Sequence, residues 1–246
     1  MGELIAFVSG KCGTGKTSVC AGIAAALAEE GRQVLCIDCD VGLRNLDISL
    51  GLSDCSALSF LDVSEGGYPL EKATRHPDFP GIAFLTAPLN RSADRIDPDA
   101  FRAMLDQAKT RFDYILLDAP AGVDAGFRLV ASAAQRFLLV TGSGPAAIRD
   151  AARVGDILEL MGRNDVRLIV NRVDKDMLTA VRQTIDDVMD SAGLPLSGIV
   201  LEDPNVVLAA AFGKSILRYA RRTPAVKDYR RIARRIQGYT VPVRKK

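Results

Sequence analysis

The chain has a single histidine, His76, among its 246 residues, and no apolar run long enough to cross a bilayer, which takes about 20 residues as a helix. One histidine without a second Cys-x-x-Cys pair supplies no ligand set for zinc and no partner for a His-based nucleophile. His76 precedes Pro77 in a turn-rich stretch and reads as a solvated loop residue. Met1-Gly2-Glu3 has no basic region ahead of an apolar stretch, so no secretory signal is predicted and a cytoplasmic protein is expected. There is no Pro/Ser-rich linker, low-complexity tract or internal repeat. One domain over residues 1–240 with a short basic tail, 241–246, is expected.

Five cysteines are present, all between Cys12 and Cys55, an odd number poorly placed to staple a fold. Cys36 and Cys39 have Cys-x-x-Cys spacing but continue the apolar run Val34-Leu35. Residues three apart on a strand face opposite sides of a sheet, so the pair reads as small hydrophobes rather than a redox or metal couple.

Hydrophobic residues make up 48% and charged residues 25%, the balance of an ordinary globular protein. The net charge is only +2, but it is unevenly spread. Lys214–Lys246 carries twelve Lys or Arg and one acid, Asp228, which leaves the rest of the chain acidic. A basic end on an acidic body points to an anionic partner for that end.

Short apolar runs alternate with longer helical patterns. Leu4–Val8, Val34–Ile37, Ile82–Leu85, Tyr114–Leu117, Phe137–Val140, Leu168–Val170 and Ile199–Leu201 read as strands covered on both faces. Thr17–Glu29, Pro98–Lys109, Ala146–Met161 and Met177–Asp190 read as helices. The alternation predicts an α/β fold: one doubly wound, mostly parallel sheet with helices on both faces. Gly51–Pro80 is the least regular segment and reads as an irregular excursion.

The strongest local signal is Gly10-Lys11-Cys12-Gly13-Thr14-Gly15-Lys16-Thr17, which fits G-x-x-x-x-G-K-[ST] between the first strand and the first helix. Glycines let the backbone wrap a phosphate with successive N–H groups turned inward. The helix start adds its positive dipole end. Lys16 is positioned to neutralise the β- and γ-phosphates, and the Thr17 hydroxyl to ligate Mg²⁺. Two strands end in acids at the edge where open α/β sheets bind ligands: Asp118 after Tyr114–Leu117, and Asp38-Cys39-Asp40 after Val34–Ile37.

Lys11, an extra lysine near the front of the loop, resembles the signature of the MinD/ParA class of deviant Walker A P-loop ATPases. Asp38–Asp40 with Val41-Gly42-Leu43-Arg44-Asn45-Leu46-Asp47 is similar to the first switch of the MinD family, and Asp118-Ala119-Pro120-Ala121-Gly122-Val123 to its second. Arg149-Asp150 with Arg153, Asn171-Arg172, and Gly198-Ile199 with Glu202-Asp203 resemble later landmarks of that family in the same order. The resemblance runs from about residue 3 to residue 240.

The resemblance implies an ATPase that dimerises with two ATP molecules between its subunits. Lys11 would reach the partner's phosphates, Asp40 would orient the attacking water, and Thr17, Asp38 and Asp118 would hold the Mg²⁺ shell. The implied nucleotide-binding set is Lys11, Cys12, Gly13, Thr14, Gly15, Lys16, Thr17 and Ser18, with Asn171 at the adenine edge and Arg172, Glu202 and Asp203 beside it. Lys11, Lys16 and Asp40 are the implied catalytic residues. Implied partners are a second copy of the chain and division-inhibitor and regulator proteins of the Min type. The inner face of the cell membrane is the implied site of peripheral association, and the task is division-site placement. Several positions depart from the family pattern. Cys12 replaces a glycine, Gly144-Pro145 lacks the usual Pro-Glu, Ala152 stands where an acid is usual, and Leu201 replaces a proline.

MinD proteins commonly finish with an amphipathic helix rich in Leu, Phe and Lys, whereas no Phe, Leu or Trp follows Leu217 here. Val226, Tyr229, Ile232, Ala233 and Ile236 recur at helical spacing among Arg230, Arg231, Arg234 and Arg235. That stripe is expected to pack on the domain as its last helix and leave an arginine face that is solvated or touches an anionic surface. Competing readings are a partition ATPase binding DNA non-specifically, a flagellar-number regulator of the same superfamily, and a small-molecule ligase or amidotransferase on this fold. No Gln-rich motif precedes the first strand to favour the regulator, and no further carboxylate or cysteine constellation favours the enzyme.

Overall fold

The computed structural model describes residues 1–89, 91–182 and 184–242. Val243, Arg244, Lys245 and Lys246 of the expected tail lie outside the described residues. The strands are β1 (Glu3–Val8), β2 (Val34–Asp38), β3 (Thr74–Arg75), β4 (Ile82–Leu85), β5 (Tyr114–Asp118), β6 (Arg136–Thr141), β7 (Asp165–Val173) and β8 (Leu196–Leu201). They form one sheet in the order β3-β4-β2-β5-β1-β6-β7-β8. Every pairing is parallel except the short edge strand β3 against β4. The seven strands read from apolar runs are all present, and the mostly parallel α/β sheet is as expected.

The helices are α1 (Lys16–Glu29), α2 (Leu46–Leu50), α3 (Phe60–Ser64), α4 (Pro98–Ala108), α5 (Ala125–Ala133), α6 (Pro145–Leu160), α7 (Lys175–Ala180), α8 (Ile185–Ala192), α9 (Pro204–Ala211), α10 (Ile216–Tyr219) and α11 (Pro224–Ile236). Among the described residues no helix is long and apolar enough to cross a membrane. Two apolar layers sandwich the sheet. Phe101, Phe127, Phe137 and Leu158 lie in one, while Ile23, Leu27, Phe84 and Tyr229 lie in the other. Cys39 belongs to the first layer and Cys36 to the second, the opposite-face placement their spacing predicts.

Within the second layer α1 and α11 lie in close contact. A Cβ on Gly22 would stand 2.4–2.8 Å from ring carbons of Tyr229, so only glycine lets the two helices approach this closely. Val226, Tyr229, Ile232, Ala233 and Ile236 are all buried, as the stripe predicts. The arginines of α11 lie on a partly solvated face, as expected, but are also paired. Arg230 makes two hydrogen bonds to Glu29, at 2.8 and 3.1 Å, and Arg234 meets Glu30 at 2.8 Å. Arg231 pairs with Asp228, and Arg235 donates to the carbonyls of Ser197 and Val241. Each is tied to the domain by these bonds, while Arg234 remains 60% exposed.

Two further expectations are corrected. Met177–Asp190 is not one helix: Arg182 takes a left-handed φ of 52°, and Thr184 opens α8 with a reciprocal capping box to Asp187. The Thr-x-x-Asp start signal outcompetes helix continuation there. Gly51–Pro80 is irregular as expected, but it also contributes α3, one 3₁₀ turn and β3.

His76 is not solvated; it is 3% exposed. Its Nε2 lies 2.8 Å from the Leu50 carbonyl, and its Nδ1 accepts the Asp78 N–H at 3.0 Å. A turn-rich sequence is compatible with burial when both ring nitrogens find partners. Burial holds its pKa below the usual 6.5, against the Leu50 hydrogen bond and the Asp78 charge, which act the other way. The folded chain therefore binds this proton less readily than the unfolded chain. The contribution is present above about pH 6.5 and is lost as pH falls through the lower folded-state value. Melting curves between pH 7 and pH 5 should show a fall in stability that His76→Gln reduces.

Candidate nucleotide and metal site

The register of the central strands assembles the site. Asp38 lies opposite Asp118 on the β2–β5 pair, and Asp118 lies opposite Phe7 on the β5–β1 pair. Both carboxylates thus arrive at the same sheet edge from which the chain leaves β1 into the glycine-rich loop. That loop turns through left-handed φ at Gly13 (84°) and Gly15 (80°) before α1 begins. Gly15 caps α1 without a side-chain acceptor, and no acid occupies the first turn. The first N–H groups of the helix therefore remain available to an anion.

Residues of β7 and α6 lie against the loop. Asn171, buried on β7, donates from Nδ2 to the Thr14 carbonyl at 2.8 Å. A Cβ on Gly15 would lie 2.3 Å from that nitrogen. A Cβ on Gly10 would lie 2.6–2.9 Å from Asp150 atoms of α6, so the first glycine lets α6 close on the loop. Cys12, where a glycine is usual, is exposed and not in the left-handed region, so its Cβ is accommodated without strain.

Lys16 is the electrostatic centre. It is 6% exposed, and its Nζ lies 2.5 Å from Asp118 Oδ1. Burial alone would lower its pKa; Asp118 more than offsets this and leaves the ammonium protonated. Asp38 is fully buried and accepts the backbone N–H groups of Asp40 at 2.9 Å and Leu46 at 3.1 Å. Burial, with the charge of Asp118, pushes its pKa up to about 7 against those two bonds. Burial also raises Asp40, which is half-buried, against the pull of Lys16.

Three carboxylates therefore face one ammonium. Such a set lacks positive charge, and hard oxygen donors with the Thr17 hydroxyl on the adjacent first turn suit Mg²⁺. Among the described residues no three His, Cys, Asp or Glu side chains make a complete metal site. A cation that keeps waters and substrate oxygens needs none.

Lys11 stands apart. It is on the exposed rim, and its Nζ is 3.6 Å from Asp150 Oδ2. Arg172, at a left-handed φ of 55°, makes two hydrogen bonds to Glu202, 2.8 and 3.2 Å long, across the ends of β7 and β8. Asp203 caps α9: its Oδ1 accepts from Asn205, and its Oδ2 accepts the Ala225 N–H. The phosphate-loop residues, Asp38, Asp40, Asp118 and Asn171 thus converge. Arg172 with Glu202 forms part of a rim, and the Asp203 carboxylate is occupied with helix ends. Sequence reasoning quoted Arg44 within the first-switch run but gave it no role of its own; its Nε donates to Thr86 at 2.8 Å and ties the segment after Asp40 to the end of β4. Its φ of 48° is a backbone feature that arginine does not advertise.

The family model for the CobQ/CobB/MinD/ParA nucleotide binding domain matches residues 5–216. The septum site-determining protein MinD of Synechocystis sp. is 35% identical over 244 residues, which cover 98% of this chain and 92% of that protein. The MinC:MinD cell division protein complex of Aquifex aeolicus contains a chain that superposes with a TM-score of 0.91 at 34% identity, covering 99% of this chain and 98% of that one. MinD of Pyrococcus horikoshii, solved with Mg-ADP, gives 0.83 at 27% identity over 96% of each chain. A phosphate loop after β1, paired acids at the ends of β2 and β5, and these full-length likenesses lead to one assignment: the chain belongs to the MinD family of septum site-determining ATPases within the CobQ/CobB/MinD/ParA nucleotide-binding domains.

Proposed function

We propose that this chain is a Mg²⁺-dependent ATPase that works as an ATP-gated dimerisation switch in division-site placement. The observation that carries the reading is the pair of lysines. Lys16 is buried inside the loop, whereas Lys11 stands on its rim, about half exposed and loosely paired with Asp150. A rim lysine is placed to serve phosphates held by a second subunit, which makes hydrolysis conditional on assembly.

The loop N–H groups and Lys16 bind and neutralise the β- and γ-phosphates. Asn171 holds the loop in register through Thr14, beside the adenine end of the site. Arg172 and Glu202 form a wall on that side. Thr17, Asp38 and Asp118 are the residues that would hold Mg²⁺, which would supply neutralising charge to the phosphates. Asp40, half-buried and fixed through its own N–H to Asp38, orients the attacking water. The solved MinC:MinD complex supports a division inhibitor of the Min type as partner. A cytoplasmic protein that associates reversibly with the anionic inner membrane face completes the reading.

Light scattering after gel filtration, coupled to phosphate release, tests it. Wild-type protein should double in mass with Mg-ATP but not with Mg-ADP. Lys11→Ala should bind ATP, stay monomeric and release little phosphate. Full turnover by monomeric Lys11→Ala would overturn the switch.

A further inference from the structure

We propose that α9 and the turn after it form a docking surface for an anionic bilayer; the proposal deepens the reading of peripheral membrane association and rests on it. A surface helix ordinarily buries its bulky apolar side chains and exposes small or polar ones. In α9 the only fully buried residue is Ala209. Val207, Leu208 and Phe212, at the end of the helix, are 69%, 44% and 63% exposed. The Phe212 ring stacks on Tyr219 with centroids 5.6 Å apart, which holds it on the surface. Asp203 and Pro204 fix the start of the helix, so the apolar side chains project from a rigid mount.

Basic residues follow this apolar centre along the chain. Lys214, Arg218, Arg221 and Arg222 follow Phe212 within ten residues and are all exposed. The neighbouring acids are engaged: Glu202 with Arg172 and Asp78 with Arg218. Among the described residues no carboxylate pairs with Lys214, Arg221 or Arg222. Arg230, Arg231 and Arg234 of α11, by contrast, are paired with Glu29, Asp228 and Glu30. A second copy related by a two-fold axis would bring these cations against themselves. A bilayer bearing anionic headgroups accepts both parts, apolar tips below and cations at headgroup level.

The chain contains no tryptophan, so Phe212→Trp creates a single fluorescent reporter at the surface in question. With Mg-ATP, vesicles of phosphatidylglycerol and phosphatidylcholine should shift its emission to the blue, and brominated acyl chains should quench it. Pure phosphatidylcholine should do much less. In co-sedimentation Val207→Ser with Phe212→Ser should weaken binding about tenfold or more through lost apolar burial. Serine at Lys214, Arg221 and Arg222 should weaken it by about fivefold per charge and flatten its salt dependence. Arg230→Gln with Arg234→Gln should leave binding unchanged.

Binding that survives the apolar pair but is lost with the α11 pair would overturn this surface and leave membrane association standing. Wild-type protein that ignores anionic vesicles while still hydrolysing ATP would overturn both. Salt-sensitive capture by DNA without any shift on vesicles would overturn it in favour of a nucleic-acid partner.

Discussion

Lys16→Ala should bind Mg-ATP more weakly by about 30-fold to a few thousand-fold, since truncating one partner of a buried charge pair costs about 2–5 kcal/mol. Two effects act together. The phosphates lose the one ammonium inside a loop of neutral N–H donors. The residue that balances Asp118 at 2.5 Å also disappears, so the acids facing the phosphates turn from a compensated into a repulsive wall. Lys16→Gln keeps most of the volume and should fail as badly, which separates charge from packing. Isothermal calorimetry with folded protein decides it, and unchanged affinity in both variants would remove the loop from the binding site.

Asp40→Ala should give the opposite profile: ATP binding and ATP-dependent dimerisation retained, with hydrolysis slowed roughly 100- to 10,000-fold, the span of a positioned acid–base group. The structure favours this separation. Asp40 accepts no hydrogen bond from the phosphate loop, and its link to the site runs through its own N–H to Asp38, which alanine preserves. The lowered charge near Lys16 should leave affinity equal or slightly higher. Single-turnover phosphate release measures the step. A variant with wild-type turnover would show Asp40 to be a structural acid.

The parts of the molecule that could be read in advance were those encoded within a few residues. The loop from Gly10 to Thr17 carries its glycines, lysine and hydroxyl in one run, and each apolar strand announces itself in three to five letters. The acids at Asp38 and Asp118 followed, because a strand ending places them at the ligand-binding edge. What escaped depends on residues far away in sequence. His76 is buried because a carbonyl at Leu50, 26 positions earlier, satisfies its Nε2. Arg230 and Arg234 of α11 are paired at the surface because Glu29 and Glu30 wait about 200 residues upstream. The helix α9 was not among the helices read from the sequence, although Asp203-Pro204 is a local start signal for it.

The seam between α1 and α11 gives the protein a lever. The 14 residues of α1 make a rod about 21 Å long, with the phosphate loop at one end and Glu29 and Glu30 at the other. Those two acids grip Arg230, Arg234 and Gln237 of the last helix and the residue after it. At mid-length Gly22 seats against Tyr229 with no slack, so the rod cannot roll or slide without carrying its neighbour along. A tilt of about 5° pivoting at the loop would move the far end by about 2 Å. Whatever displaces the loop is thereby geared to the place where the chain leaves the domain.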